Sequence, residues 1–301
     1  RECLRRSPFG FYGLLAAARL REEGETVTFT LPMPPASPKS KGSVAREPAL
    51  ERSRELLQAG LDFEAGEELG RAEASVLRHL GKTHGPAILL AEYANMRAHH
   101  RALRLAENSG SSLLSMAPTD DARIIWQAAY PRAFRDMVQV QADRTSTPEL
   151  FVYAIMRKES SFMPHAVSGS DARGLLQLLP STGQEVARHR GEPFFVDELF
   201  DPEVNIRLGT TYLGGLLKRF SDQVALAAGA YNAGSRAMMR WCDQWGTRPL
   251  DEFVELVTYD QAREYIKRVL GIYARYRYLY GEPLQLSLAV DPRYRKEGIN
   301  D

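Results

Sequence analysis

The residue in this chain whose type and setting point most directly to chemistry is Glu159. The helix predicted from Pro148 carries Val152, Ile155 and Met156, and Glu159 follows them by seven, four and three residues on the same face. A carboxylate therefore takes the last position of an apolar stripe. Phe162 closes the stripe one turn beyond it. A glutamate at a helix end is ordinarily a solvated charge. Here desolvation by the stripe and the negative pole of the helix dipole both disfavour the ionised form. Both raise the proton affinity of Glu159, as a general acid working near neutral pH requires.

Other chemistries have weaker support. His99 and His100 are adjacent, so they cannot share one helix face as a metal-binding i, i+4 pair would. His165 reads as a surface-loop histidine. No glycine-rich phosphate loop and no Ser/His/Asp ordering is present. The two cysteines, Cys3 and Cys242, have no metal-ligand spacing and make no disulfide framework. The net charge is +1, so bulk electrostatics argue neither for nor against a polyanionic partner; no nucleic acid is expected. The basic run Arg97 to Arg104 reads as a solvated helix face.

The elements that must position Glu159 are helices. Thr147-Pro148-Glu149 is a strong start signal: a capping hydroxyl, proline at the first helical position and an acid in the first turn. The domain boundary is placed just before it, giving a catalytic domain over 147–285 and a tail over 286–301. Residues 111–146 form a helical linker, with a stretch from Asp120 to Val140 that Pro131 interrupts. Residues 1–110 form a helical array. Within it, 47–108 reads as two helix pairs, broken at Gly60 and Gly81 and ending near Gly110, at a period of roughly 35 residues like an α-solenoid. The one extended piece is Thr26 to Leu31. It opens a proline-rich connection over 24–46, where Pro32, Pro34, Pro35 and Pro38 exclude a helix. The fold class is mainly α. At 301 residues, 44% hydrophobic and 26% charged, the composition is that of a globular protein. No apolar run reaches the roughly 18 residues of a membrane helix, so no stable membrane insertion is expected. The chain begins with Arg1 and shows no leader pattern, so it is expected to be a processed form or a fragment.

Five short motifs occur in an order that resembles a known family. Arg157-Lys158-Glu159-Ser160-Ser161-Phe162 is similar to a catalytic Glu-Ser motif. Arg173-Gly174-Leu175-Leu176-Gln177-Leu178-Leu179-Pro180 is similar to a Gly-Leu-Met-Gln-hydrophobic-Met-Pro motif. Asp201-Pro202-Glu203, Asn205-Ile206 and Gly209-Thr210-Thr211-Tyr212-Leu213 resemble the segment that follows. Ala230-Tyr231-Asn232-Ala233-Gly234 matches an Ala-Tyr-Asn-Ala-Gly motif. Glu255 and Tyr259 to Val269, with Arg263 and Tyr265, resemble the closing segment. Together these identify residues 146–281 as resembling the catalytic domain of the soluble lytic murein transglycosylases, of the lysozyme-like superfamily. The chain departs from the pattern where Leu176 and Leu179 replace methionines, Asp171 a glycine and Arg173 a small residue. Thr258 and Gln261 replace a proline and a glutamate. These departures bear on the sugar subsites and leave the acid in place.

The resemblance implies a lysozyme-like catalytic domain preceded by an irregular superhelix of helices. It implies Glu159 as catalytic residue and Ser168, Gln177, Tyr231, Asn232, Glu255 and Tyr259 as substrate-binding residues. Each also has a plain structural reading: a turn-capping hydroxyl for Ser168, a backbone-satisfied amide for Gln177, a helix end for Tyr231-Asn232 and a solvated charge for Glu255. Tyr259 and Tyr265 read as core. Glycosidases usually pair two carboxylates, and nothing in the sequence marks a partner acid beside Glu159. The implied reaction uses one residue as acid and then base: it cleaves the N-acetylmuramic acid–N-acetylglucosamine bond of peptidoglycan without water and leaves 1,6-anhydromuramic ends. It needs no metal or organic cofactor. The implied partner is the glycan strand, in the periplasm or cell envelope. Cell-wall proteins docking on the N-terminal helices are a further expectation, and a monomer is expected. The competing readings are a goose-type peptidoglycan hydrolase and a non-catalytic glycan-binding scaffold.

Overall fold

The computed structural model describes residues 1–34, 47–291 and 293–294. Pro35 and Pro38 of the proline-rich connection, and residues 295–301 of the expected tail, lie outside them. The described chain divides into two compact units, residues 30–133 and residues 1–29 with 134–301. No strand ladder occurs among the described residues, and two isolated bridges are the extended pairing named. Thr26 to Leu31 thus has no partner strand.

The chain opens with α1 (Glu2–Arg6) and α2 (Phe11–Glu22), the latter burying Phe11, Leu14, Leu15, Ala17 and Ala18.

The 30–133 unit holds α3 (Pro48–Gln58), α4 (Asp62–Asn95), α5 (His99–Ser109) and α6 (Asp120–Ala129). Pro48 starts α3, where its missing N–H costs nothing. Gly60 and Gly81 adopt φ of +78° and +77°, which favours glycine, and Gly81 breaks α4 in two. Leu50, Leu69, Val76, Leu89, Leu90, Leu103 and Leu105 make the unit's core. Glu67 accepts from Arg101 Nη2 at 2.6 Å and lies 3.2 Å from His100 Nε2. Burial pushes the neighbouring His99 down to about 4. Pro32 is held by Ala117 N, which donates to its carbonyl at 2.8 Å.

The other unit continues with α7 (Arg135–Thr145), α8 (Glu149–Ser160), α9 (Pro180–Arg190), α10 (Pro202–Arg219), α11 (Val224–Ala233), α12 (Ser235–Trp245), α13 (Leu250–Leu256) and α14 (Asp260–Tyr280). Every residue of α8 from Leu150 to Met156 is buried. The expected single stripe is therefore apolar around its whole circumference, as a central helix is. α14 packs along α8 and α11, and α7 packs on α10.

The unit borders differ from the expected 110, 146 and 285. The break falls at the Pro131 interruption, because Val138 and Ala142 of α7 are buried with the C-terminal helices. Residues 1–29 also belong with the C-terminal unit. α2 packs on α14, the Phe9 ring lies 4.9 Å from that of Tyr278, and Gly271 leaves room for the Phe9 carbonyl, 2.8 Å from where a Cβ would stand. Arg19 pairs with Asp251. A hydrophobic pattern shows that a helix needs cover but not which surface supplies it.

Candidate active site

The site is built where α8 ends. Glu159 stands in its last turn, half-buried, at the end of seven successive buried residues. The chain leaves the helix through Ser161 and Phe162, both left-handed, with φ of +51° and +68°. Such a conformation costs a non-glycine residue about 1–3 kcal/mol. Phe162 is 1% exposed, and burying its ring contributes roughly 1.5–3 kcal/mol, comparable to that cost. Ser160 secures the exit: its hydroxyl donates to Leu175 O at 2.7 Å and accepts from Phe162 N at 3.1 Å.

The Tyr265 hydroxyl, on α14, donates to Glu159 Oε1. Tyr265 is buried, and the Lys158 ammonium lies 5.2 Å from its ring centroid. Burial raises the proton affinity of Glu159, and the Tyr265 hydrogen bond and the Lys158 charge oppose that rise without cancelling it. Among the described residues, no carboxylate is one of the groups that set this balance. Tyr265 itself is pushed well above the ordinary phenol range by burial and by the Glu159 charge. Tyr265 is the residue that spacing arguments assign to the core. It is in the core, and its hydroxyl reaches the acid from 106 positions away.

Residues 166–178 form a second wall. Arg173 and Leu178 exchange backbone hydrogen bonds at 2.9 and 3.0 Å. Asn205, fully buried on α10, accepts from Leu176 N at 2.8 Å and donates to Leu199 O at 2.8 Å and Arg173 O at 3.0 Å. Gly174 has φ +76°, and a Cβ there would stand 2.1 Å from Leu199 O, so both conformation and space require glycine. Asp171 has φ +61°, a left-handed value that aspartate tolerates better than most residues. Its carboxylate pairs with Arg173 Nε at 3.0 Å. The two departures from the family pattern in this loop thus bind each other. Asp171 is engaged there and stays out of the group that governs Glu159.

The remaining expected residues separate. Gln177 and Asn232 line a groove of about 580 Å³ with Tyr212, Tyr231, Thr182, Glu185 and Arg236. Gln177 Nε2 donates to Ala166 O and Gly174 O, which fits its plain reading as a backbone-satisfied amide, while its side chain still forms part of the wall. The Tyr231 hydroxyl donates to Leu176 O at 2.6 Å, and the Glu159 charge adds to burial in raising its proton affinity. Tyr231 therefore joins the groove to the acid. The Ser168 hydroxyl accepts from Ser170 N and Ala172 N, capping its turn. Tyr259 is 51% exposed, its ring edge-on to Trp241 at 5.2 Å.

Glu255 is not brought to the acid. It accepts from the Tyr12 hydroxyl at 2.6 Å and pairs with Lys267 Nζ at 2.7 Å, and these partners hold its carboxyl below the usual range. Lys267 is two residues from Tyr265 on α14, about 200° around the helix, so the pair faces away from Glu159.

Residues 136–254 match the family described as Transglycosylase SLT domain. The chain carries a transglycosylase SLT domain. It is 29% identical over 288 residues to the soluble lytic murein transglycosylase of Escherichia coli (strain K12), covering 94% of this chain and 41% of that protein. The putative soluble lytic murein transglycosylase of Haemophilus influenzae is 35% identical over 143 residues, covering 47% of this chain and 24% of its own. The crystal structure of the 70 kDa soluble lytic transglycosylase from Escherichia coli superposes with a TM-score of 0.74 at 27% identity, covering 95% of this chain and 44% of that one. A complex of the 70 kDa enzyme with bulgecin A gives 0.73 at 26% identity, covering 95% and 43%. The likeness thus runs beyond the SLT domain into the helices before it, while the chain spans less than half the length of these relatives.

Proposed function

We propose that this chain is a lytic transglycosylase cleaving the β-1,4 bond between N-acetylmuramic acid and N-acetylglucosamine in peptidoglycan. The observation that carries the reading is the single acid: a half-buried carboxyl of raised proton affinity, bonded to a phenol, with no carboxylate among the groups that govern it. The similarity to proteins named soluble lytic murein transglycosylases supports the reading.

A lone acid has to work twice. Protonated Glu159 donates its proton to the glycosidic oxygen as the C1–O bond breaks, and the acetamido group of the muramic sugar assists departure. Glu159, now ionised, takes the proton of that sugar's C6 hydroxyl as its oxygen bonds to C1. The product is a 1,6-anhydro end, no water is consumed, and the acid is regenerated. Each function favours a pKa near the working pH; burial raises the proton affinity of Glu159, and the Tyr265 bond opposes that rise. The donor and acceptor atoms of Gln177 and Asn232 suit sugar hydroxyls and acetamido groups, and the Tyr231 and Tyr212 rings give sugars a face to lie against. Ser168 retains its hydroxyl hydrogen for a substrate acceptor, and the exposed Tyr259 ring is a platform at the rim. Glu255, paired with Lys267 and the Tyr12 hydroxyl, buttresses α14. Peptidoglycan strands lie in the cell envelope.

The test is the product. Purified peptidoglycan digested with the chain should yield muropeptides lighter by one water, the anhydro form, by mass spectrometry. Hydrated reducing ends alone would mean a goose-type hydrolase. Equal glycan binding with no turnover by wild type and Glu159→Gln would mean a binding scaffold.

A further inference from the structure

The groove beside Tyr231 has one wall that the reaction does not use. α12 is sharply two-sided: Ser235, Ala237, Met238, Trp241 and Cys242 are buried, and Arg236 and Arg240 lie four residues apart on its solvent face. Arg236 is the cationic side chain lining the groove. Neither arginine has an ion pair among the described residues. Elsewhere in this unit arginines near the groove are engaged: Arg173 with Asp171 and Asp197, and Arg190 and Arg207 with Glu192. Two like charges one turn apart repel by a few tenths of a kcal/mol. The other charged group of the lining, Glu185, stands on α9, so the cationic side of the groove is the α12 side.

We propose that Arg236 is a specificity residue that binds a carboxylate carried by the glycan, with Arg240 extending the same basic ridge; this rests on the glycan-cleaving function proposed above. The rest of the lining is neutral donors, acceptors and rings, suited to the uncharged parts of a sugar. N-acetylglucosamine offers no carboxylate. The muramic sugar does, either on its lactyl ether when unsubstituted or on the peptide stem attached there. A planar guanidinium takes such a group through two parallel hydrogen bonds.

Binding to three probes tests this, measured by calorimetry in the Glu159→Gln background so that nothing is cut. The probes are a stem-bearing muropeptide chain, the same chain stripped of stems by an amidase, and a neutral N-acetylglucosamine oligomer of equal length. Loss of one charge-assisted contact is expected to weaken binding of the carboxylate-bearing probes about tenfold in Arg236→Gln, while the neutral oligomer shifts less than twofold. Arg240→Gln should give a smaller loss that fades at high salt. If only the stem-bearing chain responds, the carboxylate is the stem's; if only the stripped chain responds, it is the lactyl group's, which is free only once the stem is gone; if both respond, Arg236 takes either. Equal loss on all three probes, or none on any, overturns the proposal. Its failure is distinguishable from failure of the function itself: then the wild-type chain would release no anhydro products and the Glu159→Gln chain would bind no glycan, whereas here both would persist with Arg236 indifferent. Arg236 is solvent-exposed, so its replacement leaves the core intact.

Discussion

Removing one oxygen from Tyr265 isolates the contact that distinguishes this acid from an ordinary surface glutamate. Tyr265 is buried and its hydroxyl donates to Glu159 Oε1, so Tyr265→Phe keeps the ring and its packing and deletes only the donor. A hydrogen bond to a charged group contributes about 1.5–3 kcal/mol, and a neutral one about 0.5–1.5. A double-mutant cycle of Tyr265→Phe with Glu159→Gln, which keeps an acceptor but never a charge, should therefore show a coupling of about 1 kcal/mol at neutral pH.

The pH dependence fixes the sign. Glu159 has its proton affinity raised in the folded protein, so its contribution to stability is fully present below the ordinary carboxyl range and is lost as pH rises through the folded value. The Tyr265 bond favours the ionised form and softens that loss. Tyr265→Phe should then cost least in acid, where the bond is neutral, and most near neutrality. The Glu159 limb of the activity profile should move to higher pH, since a force lowering its proton affinity is gone. Urea unfolding at a series of pH values, with the pH–rate profile alongside, measures both. A cycle that is additive at neutral pH, or a limb that moves to lower pH, would refute the assignment of Tyr265 as the group that tunes this acid.

Two further expectations concern the scaffold. Gly174→Ala places a methyl 2.1 Å from Leu199 O at a φ of +76° and should cost about 3 kcal/mol or more; an unfolding midpoint like that of the wild type would show that the loop can yield. Truncating residues 1–29 strips Phe9, Phe11, Leu14 and Leu15 from the core. At roughly 1.5–3 kcal/mol each, that rivals the whole stability of a typical domain, so the shortened chain should lose its cooperative transition. Its persistence by calorimetry would show that these helices are dispensable.

What was legible in the sequence was local or ordered along it. The glycine breaks at 60 and 81 and the place of Glu159 at a helix end follow from spacing, and the structure has each; α8 does begin at Thr147-Pro148-Glu149, but Pro148 stands at the N-cap itself and the Thr147 hydroxyl pairs with Thr145 Oγ1 at 2.8 Å instead of capping the helix. The Gln177 and Tyr231-Asn232 motifs share a groove, as the motif order implies. What was not legible depends on which surfaces meet. α2 shows the same apolar pattern whether it covers α14 or a helical array. Nothing near Glu255 in the sequence signals that Tyr12, 243 positions away, donates to it. Tyr265 offered one signal, its place in the closing motif, which does not say that a core tyrosine turns its hydroxyl to the acid.

The same contrast explains how this fold keeps a carboxyl poised without a second acid. A half-buried glutamate freed of every polar contact would hold its proton too tightly to give it up, and one fully solvated would lose it too early. Here the apolar end of α8 pushes one way, while a phenol on α14 and the neighbouring Lys158 push the other. Neither helix alone sets the balance, because Tyr265 reaches Glu159 only if α14 lies along α8. The exit from α8 must also hold, and Ser160 bonded to Leu175 ties it to the loop that Asn205 fixes from α10. A change such as Asn205→Leu, far in the chain from the acid, should therefore reach it through that loop. On the proposed function, this balance between packed elements takes the place of the neighbouring charge in paired-carboxylate enzymes.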